Sequence, residues 1–73
     1  MKTIKTQEKF EKVVNYLLEK YKEYAVNIYF YNGDLMKVQT LEKMMYKFVK
    51  AFRNFDVEII NIYDSNLIEI FIQ

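Results

Sequence analysis

The chain repeats itself. Residues Phe10 to Ile28 and Leu41 to Ile59 superimpose at an offset of 31, and their apolar positions coincide. Phe10, Val13, Val14, Leu17, Leu18, Tyr21, Tyr24, Val26 and Ile28 answer to Leu41, Met44, Met45, Phe48, Val49, Phe52, Phe55, Val57 and Ile59. Glu11-Lys12 recurs as Glu42-Lys43. Two like halves have two like surfaces to bury, so a pseudo-twofold architecture is expected. With 73 residues there is room for one small domain, residues 1–73, made of pseudo-repeats 6–39 and 40–73. A domain of this size buries only roughly 60% of its unfolded surface. It therefore needs idealised packing or association to be stable.

The apolar spacing of each copy is first helical and then strand-like. From about Thr6 to Glu23 the apolar residues recur at i, i+3, i+4 and i+7, the stripe of a helix with one buried face. Thr6 is the expected N-cap, with Glu8 in the first turn favourable to the helix dipole. The second helix is expected over Leu41 to Asn54, capped by Thr40. After each helix the period becomes two, which marks strands.

Strands Ala25–Tyr31 and Asp34–Gln39 flank Asn32-Gly33, a strong hairpin signal. A two-residue loop there pairs Ile28 with Lys37. A three-residue loop with Gly33 left-handed pairs Val26 with Val38 and Ile28 with Met36, and that register gives one clean apolar face. A second hairpin, Val57–Tyr63 and Leu67–Ile72, turns at Asp64-Ser65-Asn66 with Asn66 left-handed, pairing Ile60 with Ile70 and Ile62 with Ile68.

The expected fold is thus α+β, an α-β-β-α-β-β tandem repeat. A right-handed crossover sets the third of these four strands antiparallel beside the first. That gives a four-stranded antiparallel sheet of order 2-1-3-4, with its pseudo-twofold axis between the first and third strands and both helices on one face. One conflict remains inside the sequence. The repeat aligns Val57 and Ile59 with the core residues Val26 and Ile28, whereas hairpin pairing makes Ile60, Ile62, Ile68, Ile70 and Ile72 the purer apolar face. A β-bulge near Ile59-Ile60 reconciles the two.

Two helices cover one face of such a sheet and leave the other bare. The outward set is Asn27, Tyr29, Tyr31, Leu35, Lys37 and Gln39 on the first hairpin. On the second it is Val57, Ile59, Asn61, Tyr63, Leu67, Glu69 and Phe71. So much apolar and aromatic surface on a solvated sheet marks an interface, although β-propensity alone also places Tyr and Ile on exposed strands. The candidate protein-interface residues are Tyr29, Tyr31, Leu35, Ile59, Tyr63, Leu67 and Phe71.

Chemistry has little to work with. There is no cysteine and no histidine, so thiolate metal sites, disulfides and imidazole catalysis are excluded. Asp34 and Asp64 occupy turns, Ser65 has no base beside it, and the one glycine belongs to a hairpin rather than a phosphate loop. No catalytic residue, cofactor or metal is expected. The net charge of +1 argues against both a DNA mimic and a strongly basic nucleic-acid binder.

A weaker nucleic-acid signal is a stripe of Lys43, Lys47, Lys50 and Arg53 on the second helix, with Tyr29 and Tyr31 as stacking aromatics. Lysines on the solvated side of an amphipathic helix are the plainer account of it. Membrane binding has less support still, because the first helix mixes Lys9, Lys12 and Lys20 with Glu8, Glu11, Glu19 and Glu23. No apolar run approaches the ~20 residues of a membrane span, and no signal-peptide stretch follows Met1 to Thr6, so the cytoplasm is the expected compartment.

Lys, Ile, Asn, Tyr and Phe fill half the chain, and ten lysines stand against one arginine. Their A/T-rich codons suggest an AT-rich genome such as that of a phage or mobile element. The leading expectation is a small non-enzymatic interaction module that uses its sheet face on a second copy of itself, on a host protein as an inhibitor or adaptor, or on both. The runner-up is a weak nucleic-acid binder using the basic stripe. A third reading is a designed or orphan fold with no selected partner. Met44-Met45, tyrosines on both helices and unequal hairpins favour a natural origin.

Overall fold

The computed structural model describes residues Met1–Gln73. Its elements run β1 Lys2–Lys5, α1 Phe10–Tyr21, β2 Ala25–Phe30, β3 Leu35–Val38, α2 Leu41–Phe52, β4 Val57–Tyr63 and β5 Leu67–Ile72. The two helices are the same length and begin and end at the repeat offset of the sequence. The α+β class expected from the periodicity holds. The sheet, however, has five strands in the order β1-β4-β5-β2-β3, not four in the order 2-1-3-4.

Two differences account for this. The first is β1, which the sequence hides: Lys2–Lys5 offers one apolar residue, Ile4, too few to show a period. It pairs antiparallel with β4, Ile4 opposite Ile60. The second is β5, which inserts between the two strands expected to be neighbours. β5 pairs antiparallel with β4 and parallel with β2, Ile70 opposite both Ile60 and Ile28. The reason is burial. β5 carries Ile68, Ile70 and Ile72 inward, all buried, and Leu67 and Phe71 outward, so the centre of the sheet is where it hides most apolar surface.

The pseudo-twofold survives in a different place. Following the pairings across the sheet makes β1 parallel to β2 and β3 parallel to β4. The repeated unit is therefore β-α-β, β1-α1-β2 against β3-α2-β4. Reversing the order β1-β4-β5-β2-β3 exchanges β1 with β3 and β4 with β2, and only β5 maps onto itself. The axis runs through β5, not between β2 and β4.

Locally the turns follow the sequence. Gly33 sits at φ 93° and Asn66 at φ 62°, and both hairpin registers are those of the three-residue loops, Val26 with Val38 and Ile62 with Ile68. The expected bulge lies between Val57 and Ile59. It turns Val57 into the core, where it is fully buried, so Val57 leaves the outward set. Thr40 caps α2 by accepting the Lys43 amide at 3.1 Å.

Thr6 does not cap α1. The helix starts later, with Lys9 at the N-cap and no side-chain cap bond. Thr6 is held in the connection from β1, its amide donating to the Glu58 carbonyl at 3.1 Å. Its Oγ1 accepts the Glu8 amide at 3.0 Å.

Sixteen residues are buried and all are apolar. Both helices lie on the face carrying Val26, Ile28, Val38, Ile60, Ile62, Ile68, Ile70 and Ile72. They contribute Phe10, Val13, Val14 and Leu17 from α1 and Leu41, Met44 and Val49 from α2. Phe10 meets Phe52 edge-on across the helix pair, with ring centroids 5.8 Å apart. The other face of the sheet carries no secondary-structure element. No helix is long and apolar enough to cross a membrane.

Candidate interaction surface

The outer sheet face is built in cross-strand rows, because directly paired residues share a face. One row reads Lys5, Ile59, Phe71, Tyr29, Leu35 from β1 to β3. The next reads Thr3, Asn61, Glu69, Asn27, Lys37. A third holds Tyr63, Leu67 and Ala25. A polar row thus runs between two apolar ones, with Glu69 at its midpoint on the central strand. In the first of these rows Tyr29 stacks on Phe71, with centroids 4.7 Å apart and planes 10° from parallel.

The polar row is a connected network. Thr3 Oγ1 donates to Asn61 Oδ1 at 2.8 Å, and Asn61 Nδ2 donates to Glu69 Oε1 at 3.2 Å. Tyr63 Oη donates to the same Oε1 at 2.5 Å, and Tyr29 Oη donates to Oε2 at 3.2 Å. The hydrogen bond from Tyr63 holds the Glu69 carboxyl below its ordinary value. Those from Asn61 and Tyr29 add to it, against an opposing push from partial burial. The Tyr63 phenol is raised in turn, first by that same hydrogen bond, then by burial and by the carboxylate charge. The two ion pairs of the molecule, Lys9–Asp56 and Lys12–Glu8, lie elsewhere. Glu69 is a carboxylate held by neutral donors and matched by no cation.

Of the residues expected at an interface, the structure gathers Tyr29, Leu35, Ile59, Tyr63, Leu67 and Phe71 on this one face. Leu35 is the most open of these, 46% exposed at the β3 edge, while the others are half-buried against their neighbours. Tyr31 stands apart: it lies in the turn beyond β2, 83% exposed, beside a recess lined by Phe30, Met36 and Phe55 at the end of the sheet. Lys43, Lys47, Lys50 and Arg53 are exposed on α2. Lys43 donates to Gln39 Oε1 and none of the four has a carboxylate partner. α2 packs on the opposite face of the sheet, so the basic stripe and the tyrosines of the outer face look to opposite sides of the molecule. The two do not form one continuous surface.

Family models, curated proteins and solved structures yield no match to this chain.

No group of three His, Cys, Asp or Glu side chains is disposed to hold a metal ion. Asp34 and Asp64, both in hairpin turns, sit at opposite ends of the sheet because β2 and β4 run antiparallel.

Sequence reasoning passed over the residue at the centre of the site. Glu69 and Asn61 belong to the outward set, and the hairpin register already pairs them, which was the available signal. Tyr29 joins them only because β5 lies beside β2, and Thr3 only because β1 exists. Neither adjacency has a trace in the apolar pattern.

Proposed function

We propose that this chain is a small non-enzymatic protein-binding module, acting in the cytoplasm, that docks its partner on the outer face of its sheet. One observation carries this reading: Ile59, Leu67, Phe71, Tyr29 and Tyr63 are set in cross-strand rows, with Tyr29 stacked on Phe71, on a face that no element of the chain covers. Aromatic and aliphatic anchors ordered before binding lose little side-chain entropy on docking, which is what makes such residues effective in interfaces. A carboxylate fixed amid them adds polar selectivity.

A different protein fits this face better than a second copy. A two-fold contact centred on the patch sets Glu69 against its own counterpart, and opposed like charges disfavour that pairing. The AT-rich character of the composition makes an adaptor or inhibitor encoded by a phage or mobile element, and directed at a host protein, the natural biological setting.

A second reading rests on the unpaired cations Lys47, Lys50 and Arg53 of α2, which suit an anionic partner such as nucleic acid. Affinity capture separates the two. Wild type, Phe71→Lys, Ile59→Lys and a Lys47→Glu/Lys50→Glu double variant are used as bait in lysate with and without nuclease treatment, with helicity checked by circular dichroism. Loss of the captured protein with Phe71→Lys and Ile59→Lys, but not with the helix variant, supports the sheet face. Capture that ends on nuclease treatment, or only with the helix variant, replaces it with the basic stripe.

A further inference from the structure

The chemistry of the partner follows from Glu69. It occupies the middle strand and the middle row, so anything that covers the apolar rows also covers this carboxylate. Covering it removes water from an anion, a cost that rises steeply unless an opposite charge arrives with the partner. The chain supplies none. The nearest cations in its row and the row beside it, Lys37 and Lys5, stand on the two edge strands β3 and β1, and neither forms an ion pair with it.

The acceptor count narrows the choice. A carboxylate oxygen has two lone-pair directions. Oε1 takes both Tyr63 Oη and Asn61 Nδ2, and Oε2 takes Tyr29 Oη alone. One acceptor site is left, on Oε2. That excludes a two-pronged guanidinium clamp and suits a single donor, a lysine ammonium or an arginine placed end-on.

The stem of such a side chain is aliphatic and suits the neighbouring apolar surface of Phe71 and Tyr29. Resting on the sheet-face reading, we infer that the partner is a protein segment that seats one cationic side chain, Lys or Arg, on Glu69 while its apolar residues cover Phe71, Ile59 and Leu67. The hydrogen bonds from Tyr63, Asn61 and Tyr29 hold the carboxylate ionised and correctly aimed before the partner arrives.

Selection of displayed random peptides on the immobilised full chain tests this. The enriched peptides carry a Lys or Arg flanked by apolar residues, and their affinity falls with added salt. Glu69→Gln keeps the shape and removes the charge, and it weakens them by about 10- to 100-fold, the worth of a hydrogen bond to a charged group. Tyr63→Phe keeps the charge but gives up one of the three bonds that aim it, so it weakens them too, by less than Glu69→Gln does. Circular dichroism confirms that both variants fold.

Peptides without a cation, bound equally by Glu69→Gln but lost on Phe71→Lys, overturn the inference and leave the sheet face standing. Peptides indifferent to Phe71→Lys and Ile59→Lys overturn both. Acidic peptides, a loss with Tyr63→Phe as large as that with Glu69→Gln, or no enrichment at all also overturn the inference.

Discussion

Adjacent residues of β5 face opposite environments, and that is the sharpest test of which face the helices cover. Ile70 is fully buried, opposite Ile60 on one side and Ile28 on the other, both of them buried. Truncation to alanine removes three carbons from the middle of the core, and Ile70→Ala should cost about 3.5 kcal/mol, within the usual range for such cavities. Phe71 looks outward and is half-buried. Phe71→Ala gives up part of the ring's burial and its stack on Tyr29, about 1 kcal/mol in all.

A domain of 73 residues has a total stability of about 4–11 kcal/mol, so the first change removes a third of it or more. At roughly 4–8 °C per kcal/mol for this size, Ile70→Ala lowers Tm by about 20 °C and Phe71→Ala by about 6 °C. Thermal and urea unfolding followed by circular dichroism measure both. Protein concentration is varied to show that the midpoints do not depend on it, since self-association would add burial on the outer face. Equal losses, or a larger loss at Phe71, would refute the assignment of the faces.

Three further outcomes follow from named contacts. Thr40→Ala removes the cap on the Lys43 amide and costs about 1 kcal/mol, whereas Thr6→Ala, outside α1, stays within about 0.5 kcal/mol; equal costs by urea denaturation would return the cap of α1 to Thr6. Glu69 has its carboxyl pKa lowered from 4.5, so the stability it contributes is present above its unfolded value and is lost as pH falls through the folded one. Tyr63→Phe removes the largest cause of that lowering, so the acid side of the urea-midpoint profile becomes shallower; an unchanged acid limb would mean that the Tyr63–Glu69 hydrogen bond does not stabilise the fold. Gly33, at φ 93° with open space where a side chain would go, loses about 1 kcal/mol on change to alanine through backbone strain alone, and no loss would show the hairpin turning differently.

What was legible in the sequence is what short-range periodicity encodes. The two helices, both hairpins, their registers and the left-handed Gly33 and Asn66 all depend on residues within a few positions of one another. The bulge was legible too, because the repeat and the hairpin pairing made conflicting demands on Val57 and Ile59 that one extra residue resolves. The long-range choices were not. Whether β4 or β5 lies beside β2 leaves the apolar parity of every strand unchanged, so nothing local distinguishes the two sheets. The difference lies in total burial, which puts β5, with its three buried isoleucines, in the centre. β1 escaped because Lys2–Lys5 is an edge strand with one inward residue that packs, and lysines at such an edge discourage further pairing rather than advertise a strand.

The site follows the same division. Of the residues that repeat between the halves, Phe10 and Leu41, Val13 and Met44, and Val26 and Val57 are buried in both copies, and each half needs them for the same reason. Glu69, Phe71 and Leu67 lie on β5, the one strand with no counterpart in the other half. A residue on a duplicated strand occurs twice, at positions related by the pseudo-twofold and far apart on the sheet. A residue on the axis strand occurs once, at the centre, within reach of donors from both flanks: Tyr29 from β2, and Asn61 and Tyr63 from β4. Duplication therefore supplies the scaffold, and the unduplicated strand places one carboxylate at the middle of the face. Moving the carboxylate one strand over, with Glu69→Gln and Asn27→Glu together, should keep the fold and the apolar rows yet abolish selective binding. Asn27 neighbours Lys37 and has none of the three donors that hold Glu69. Full binding by that double variant would show that a carboxylate anywhere in the row suffices, and that the centre has no special role.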